Sequence, residues 1–186
     1  SGGLKEVKEA QEIFLPHREN GISGSCVTCV VEGVRPFLIE LQALVSKANF
    51  GTVRRRSLGF DFNRFSLLVA ILEKRLKCSL GAEDVFLNVA GGLKITDPAA
   101  DLGAAVSILS SYKEREVDCG SVFIGEVGLG GEVRRVSHMN ARLKEAQRAR
   151  FKRCFIPQGN VNEVTKEFQG MIEPCTSLKE VVEKVF

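Results

Sequence analysis

The hydrophobic period changes within the first half of the chain, and that change limits the fold more than any other feature. Between Pro36 and Val45, the residues Phe37, Ile39, Leu41 and Ala43 recur at every second position, the spacing of a strand with one buried face. From Phe62 to Lys77, the residues Phe65, Leu68, Val69, Leu72 and Leu76 recur at helical spacing behind Asp61, a side chain able to cap the first turn. A chain holding both periods must bury helices against a sheet, so the fold class is α/β with a mixed sheet. Its 186 residues are enough for one such domain with a real core and short for two. We find no internal repeat and no low-complexity linker.

The remaining elements follow from punctuation and period. Residues 5–15 read as a helical lead-in ended by Pro16, with loops at Asn20-Gly21 and Ser23-Gly24. Strands are predicted at Cys26–Val31 and Pro36–Val45, joined at Glu32-Gly33, with a third extended run at Thr52–Phe60. Val85–Ala90 reads as a buried strand closed by Gly91-Gly92. Thr96 or Asp97 caps a helix to about Tyr112, with Pro98 in the first turn, where its missing N–H does no harm. That helix is rich in small residues (Ala99, Ala100, Gly103, Ala104, Ala105), which suit a close approach to another backbone, either within the chain or across a subunit contact. Val122–Val127 and Glu132–Val136 are predicted as a hairpin, followed by a helix at about Asn140–Arg150 and a strand at Cys154–Ile156. Two further helices are expected at about 161–168 and 177–185, linked by Met171-Ile172, the second opened by a Ser177/Glu180 capping box. The expected organisation is a lead-in over residues 1–23 and a single domain over 24–186.

Net charge is only +3, but it is unevenly placed. Lys47 to Cys78 holds eight Lys/Arg against two acids, and Arg134 to Arg153 eight against one. Such segregation suits a basic binding face, and also suits solvated helix faces. The longest apolar run, Leu67–Leu72, is far below the roughly 18 residues that span a bilayer. Lys5, Glu6, Lys8 and Glu9 stand where a signal peptide would be apolar. A soluble protein of a reducing compartment is therefore expected. Of the six cysteines, Cys26 and Cys29 form the one C-x-x-C pair. On a strand they point to opposite faces, so they cannot share a metal. Buried, unbridged thiols are expected.

The stretch Gly125-Glu-Val-Gly-Leu-Gly-Gly-Glu-Val133, a basic helix, and then Phe151-Lys-Arg-Cys-Phe-Ile-Pro157 resembles the proteolytic domain of Lon proteases, and Asp97-Pro-Ala-Ala-Asp101 stands where that family has its nucleophile turn. The chain departs from Lon at both catalytic positions. Ala99 follows the proline in place of the serine, and counting from Gly125 puts Asn140 in place of the lysine, so acyl-transfer chemistry of that kind has no nucleophile and no base. The same Asp97–Asp101 sequence is similar to that of the RadA (Sms) family. So are Glu12-Ile-Phe-Leu15, Gly33-Val-Arg-Pro-Phe-Leu-Ile-Glu40, Phe50-Gly-Thr-Val-Arg-Arg-Arg56, Asp61-Phe-Asn-Arg64, Leu72-Glu-Lys-Arg75 and Asn88-Val-Ala-Gly-Gly92. The resemblance implies a Lon-protease-like fold without proteolytic activity. It implies a place in a DNA-recombination and repair ATPase that forms hexamers, promotes branch migration and works beside a RecA-type recombinase. It also implies that ATP and zinc belong to other domains, since no G-x-x-x-x-G-K-[ST], K-N-R-F-G or four-cysteine finger occurs here. The bacterial cytoplasm or a eukaryotic organelle (chloroplast or mitochondrion) is the expected location, the richness in Phe and Cys favouring the latter.

Candidate DNA contacts are Arg54, Arg55 and Arg56, extended by Arg64 and Arg75 on the next helix, with a second group at Arg134 and Arg135. Arginine binds phosphate as a planar bidentate donor, and three adjacent guanidinium groups are too costly to bury unpaired. DNA, single-stranded or branched, is the expected partner. Arg142, Lys144, Arg148 and Arg150 are expected on the solvated face of the following helix. Phe60, Phe62 and Phe65 are expected in the core, leaving no aromatic platform for base stacking. Asp97 and Asp101 as an acid/base pair, Ser107, Ser110 or Ser111 with Lys144 as a displaced dyad, and His17 or His138 as metal ligands are weaker readings. A residual peptidase and a pure oligomerisation domain are the alternatives.

Overall fold

The structure, a computed structural model, describes residues 22–49 and 52–186. The expected lead-in helix, Glu12–Leu15, His17, the Asn20-Gly21 loop and Phe50-Gly51 lie outside the described residues. Among the described residues nine strands follow in chain order: β1 (Ser25–Glu32), β2 (Arg35–Lys47), β3 (Arg55–Leu58), β4 (Glu83–Val89), β5 (Ser121–Phe123), β6 (Glu126–Val127), β7 (Val133–Arg134), β8 (Arg153–Pro157) and β9 (Ile172–Cys175). All but β6 and β7 join one seven-stranded mixed sheet, in the order β3-β4-β2-β1-β5-β8-β9. The β1–β2 hairpin turns at Gly33-Val34, one position past the predicted Glu32-Gly33 link, and β2 pairs antiparallel with β4. The β3–β4, β1–β5, β5–β8 and β8–β9 pairs are parallel.

Among the described residues four longer helices accompany the strands: α1 (Phe62–Leu76), α2 (Asp101–Lys113), α3 (Met139–Arg148) and α4 (Leu178–Val185). The first, second and fourth cover one face of the sheet. Asp61 caps α1 by accepting from the Arg64 N–H. Phe65, Leu68 and Leu72 of α1 are buried with Leu102, Ile108 and Leu109 of α2 against Ile39, Leu41, Val85 and Leu87 of the sheet. Each such side chain contributes on the order of 1.5–3 kcal/mol by leaving water. The helix α2 is buried from Asp101 to Ser111. Its small-residue stripe serves an internal crossing: a Cβ on Gly103 would lie 3.0 Å from the Thr28 Cβ and 3.2 Å from the Leu41 Cδ1. Ser107, Ser110 and Ser111 bond to backbone groups, including the Val45 N–H, so no displaced dyad forms.

On the opposite face, α3 packs Met139, Leu143 and Ala146 over Val27, Cys29, Val122, Cys154 and Ile156. Cys26 and Cys29 thus fall in separate clusters on the two sides of the sheet, as their spacing requires. Cover from α3 stops at Leu38. Beyond it, Gln42, Leu44 and Ser46 of β2 and Arg56 and Leu58 of β3 are exposed on the face that α3 leaves open.

Four expectations are corrected. The predicted Val122–Val127 strand breaks after Phe123, and β6 pairs with β7 as a separate ribbon. A Cβ on Gly125 would meet the Val133 Cγ1 at 2.8 Å and the Pro157 Cγ at 3.4 Å, so the chain leaves the sheet where only glycine fits. The segment expected as a helix at 161–168 forms short 3-10 turns, and Met171-Ile172 leads into β9. Phe62 is half exposed rather than core, whereas Phe60 and Phe65 are buried. Finally, Cys119 is exposed, while the other five cysteines are buried and unbridged. Burial pushes the Cys154 thiol up to about 12 and the Cys175 thiol up to about 11.

Candidate nucleic-acid interface

The two basic clusters identified in the sequence occupy different parts of the structure. Arg54, Arg55 and Arg56 lie at the β3 edge of the sheet. Arg55 points to the helix-covered face, donating Nη1 to the Glu83 carbonyl at 2.8 Å and Nη2 to the Leu80 carbonyl at 2.8 Å. Arg54 and Arg56 point the other way, as the strand period requires. Arg54 is held by the buried Asp84, with Nε–Oδ2 at 2.8 Å and an Nη2–Oδ2 contact of 2.6 Å. The Arg54 N–H and guanidinium together hold the Asp84 carboxyl below its usual range. Arg56 is exposed, and no hydrogen bond or ion pair ties it to any described residue.

The other candidates are engaged within the chain. Arg64 forms a two-pronged pair with Asp101, whose carboxylate also accepts from the Val127 N–H at 3.2 Å. Burial pushes the Asp101 carboxyl up from its ordinary value against the pull of Arg64. Asp101 is therefore an anchor between α1, α2 and the β6–β7 ribbon, not half of an acid/base pair. Arg75 donates Nε to the Leu129 carbonyl at 3.1 Å, which ties the ribbon tip to α1. Arg134 pairs with Glu132 and lies 3.7 Å from Glu126, and Arg135 pairs with Glu163 at 3.0 Å. Both remain mostly exposed (54% and 65%), so their inner edges are neutralised while their outer edges face solvent.

Ala99 and Asn140 are both held by hydrogen bonds within the chain. Ala99 is fully buried; its N–H donates to Asp97 Oδ1 and its carbonyl accepts from the Gly125 N–H. Asn140 joins α3 to the turns after β8, with Nδ2 donating to the Glu163 carbonyl at 2.7 Å and Oδ1 accepting from the Thr165 N–H at 3.0 Å. Arg142, expected at the surface, is only 1% exposed. Its guanidinium contacts Asp97 Oδ2 at 2.7 Å, the Cys29 carbonyl at 2.6 Å and the Ser137 carbonyl at 2.9 Å. Asp97 also accepts from the Val31 N–H. Helical spacing held the signal for this burial, since Arg142 sits beside Met139, Leu143 and Ala146 on the inward side of α3. Basic residues are conventionally placed outside, which hid it. His138 opens α3 with a left-handed backbone, φ 59°, and among the described residues no cluster of His, Cys, Asp or Glu could hold a metal.

Sequence comparison supplies the context. A family model described as subunit ChlI of Mg-chelatase matches residues 63–160. Proteins named DNA repair protein RadA are similar over most of the chain. That of Halalkalibacterium halodurans is 50% identical over 86% of the chain, that of Bacillus subtilis 49% over 88%, and that of Streptococcus pneumoniae 41% over 100%. The chain spans 35%, 36% and 44% of those three proteins, respectively.

Proposed function

We propose a function that starts from family membership: the chain belongs to the ChlI sequence family, and its homologues are DNA repair proteins named RadA. In this reading the chain is the Lon-protease-like, non-proteolytic module of a RadA-type DNA-repair ATPase. It serves as a scaffold of a homo-oligomer, a hexamer in the parent protein, and adds contacts to DNA during recombinational repair and branch migration beside a RecA-type recombinase. ATP and zinc belong to parts of the parent beyond this sequence. Residues 1–23 are the lead-in from the ATPase.

The single observation that carries the reading is how Ala99 and Asn140 are held. In this reading Ala99 and Asn140 hold the places of a nucleophile and a base: the alanine is buried, the asparagine is bonded through both ends of its amide, and Asp97 beside them is paired with the buried Arg142. Acyl chemistry needs a nucleophile within hydrogen-bond reach of a base, and alanine and asparagine supply neither. DNA contact is assigned first to Arg56, whose guanidinium is free of described partners, with Arg54, Arg134 and Arg135 offering their outer edges. Arg55, Arg64 and Arg75 hold the local structure and assist from behind.

Fluorescence anisotropy with labelled DNA at several salt concentrations tests this. The native chain should bind in a salt-sensitive, sequence-tolerant way. Arg56→Ala should weaken binding and flatten the log–log salt slope by about 0.7 for a single strand, the loss of roughly one phosphate contact. No binding by the native chain at low salt would confine its role to scaffolding. Labelling of any serine by a serine-reactive phosphonate would instead revive the peptidase reading.

A further inference from the structure

We propose that the open half of the sheet is a single-stranded nucleic-acid platform, on which a base stacks against Phe86 between Arg54 and Arg56. This rests on the DNA-contact reading above and adds to it the form of nucleic acid and the mode of contact. The sequence offered no aromatic in either basic cluster because Phe86 is some thirty positions from Arg54–Arg56 and lies in an ordinary strand. Parallel pairing of β3 with β4 puts Arg56 directly beside Phe86, and antiparallel pairing of β2 with β4 puts Leu44 on its other side. The Arg54 guanidinium lies 5.7 Å from the Phe86 ring centroid, oriented by the buried Asp84. Arg54 is thus fixed rather than freely mobile, and Arg56 has no described partner.

The surroundings fit a polyanion with flat apolar bases. Leu44 on β2 is 59% and Leu58 on the edge strand β3 66% exposed, apolar surface on the part of the sheet face that no described helix covers. Gln42, Ser46 and Asn88 share that face and present hydrogen-bonding groups without negative charge. The acids nearest this surface are Asp84 and Glu40. Asp84 is buried and neutralised by Arg54. Glu40 is buried beneath Ser25, which donates to it. Two arginines flanking an aromatic on an open sheet can hold phosphates at the edge while a base lies on the ring or on a guanidinium plane. A duplex keeps its bases stacked on one another and offers this surface only its backbone, so the apolar patch selects single strands.

The chain contains no tryptophan, so Phe86→Trp places a unique reporter on the platform. Titration with a single-stranded oligothymidylate should quench its fluorescence, and a duplex or an abasic strand of equal length should not. In anisotropy, Phe86→Ala should weaken single-strand binding by about 5-fold to 100-fold, the usual range for loss of one base–aromatic stack. It should leave abasic-strand binding unchanged. Phe86→Leu, which keeps the apolar bulk but not the ring face, should show the same selective loss and guards against misfolding of the alanine variant. Arg56-dependent binding with no change in the indole fluorescence of the Phe86→Trp variant would overturn the platform and leave the DNA-contact reading standing. Absence of binding by the native chain would remove both. A change in the reporter with protein concentration alone would make the face a contact between copies of the chain, and would also overturn the proposal.

Discussion

At the scale of single residues, arginine had to be sorted by partner, not by position. Arg54, Arg55 and Arg56 are adjacent in the chain and do three different things: one pairs with a buried carboxylate, one donates to two carbonyls, and one is free of described partners. The strongest residue-level consequence concerns Arg142. Removing one partner of a buried ion pair leaves the other charge uncompensated, a loss of about 3 kcal/mol or more. Arg142→Ala should therefore lower unfolding stability by about that amount in urea denaturation, because Asp97 and the Cys29 and Ser137 carbonyls all lose a donor. Arg148→Ala, which removes a pair on the same helix whose arginine is 67% exposed, should change it by less than about 0.5 kcal/mol. Equal effects would mean that the buried pair has no structural role.

At the scale of elements, caps and short connections carry charges whose effect can be read from pH. The α4 capping box was legible in the sequence, and the Ser177 hydroxyl does accept from the Glu180 N–H. Glu180, however, reaches one residue further than expected, accepting from the N–H and hydroxyl of Thr176, and it also pairs with Lys184 at 2.8 Å. The Lys184 bond and the two Thr176 bonds lower its carboxyl from 4.5 to about 2. A carboxyl depressed in the folded state contributes stability that is present above its unfolded value and is lost as pH falls towards the folded one. Thermal melts between pH 6 and pH 2 should thus show part of the acid destabilisation arising from Glu180, and Glu180→Gln should flatten that limb. Parallel pH profiles for the two proteins would exclude it. The elements that depart from their local composition share a cause, a tertiary contact that overrides it. Residues 161–168 read as a helix but settle into 3-10 turns, where Asn140 binds the backbone at Glu163 and Thr165 and Asn160 is tied to the backbone of Val136. The 122–127 run has strand composition but must turn out of the sheet at Gly125.

At the scale of the whole molecule, the sheet is covered on one face along much of its width and on the other only in part. The internal use of the Ala99–Ala105 stripe means that ring contacts, if this region carries them, come from other surfaces. A scaffold role predicts a concentration-dependent rise in mass toward six chains in light scattering. A strict monomer at high concentration would move those contacts to the rest of the parent protein. Among the described residues no helix is long and apolar enough to cross a membrane.

Residue type and spacing alone make legible the α/β class, the β1–β2 hairpin, the caps of α1 and α4, and the opposite facing of Cys26 and Cys29. All of these depend on residue type and spacing within a few positions, where strand and helix periods dictate direction. The tertiary fold alone leaves Arg56 free of described partners, puts Arg142 inside and stands Phe86 beside Arg54 and Arg56. Those facts depend on strand order and register, which bring residues 30 to 113 positions apart into contact and which no local period encodes.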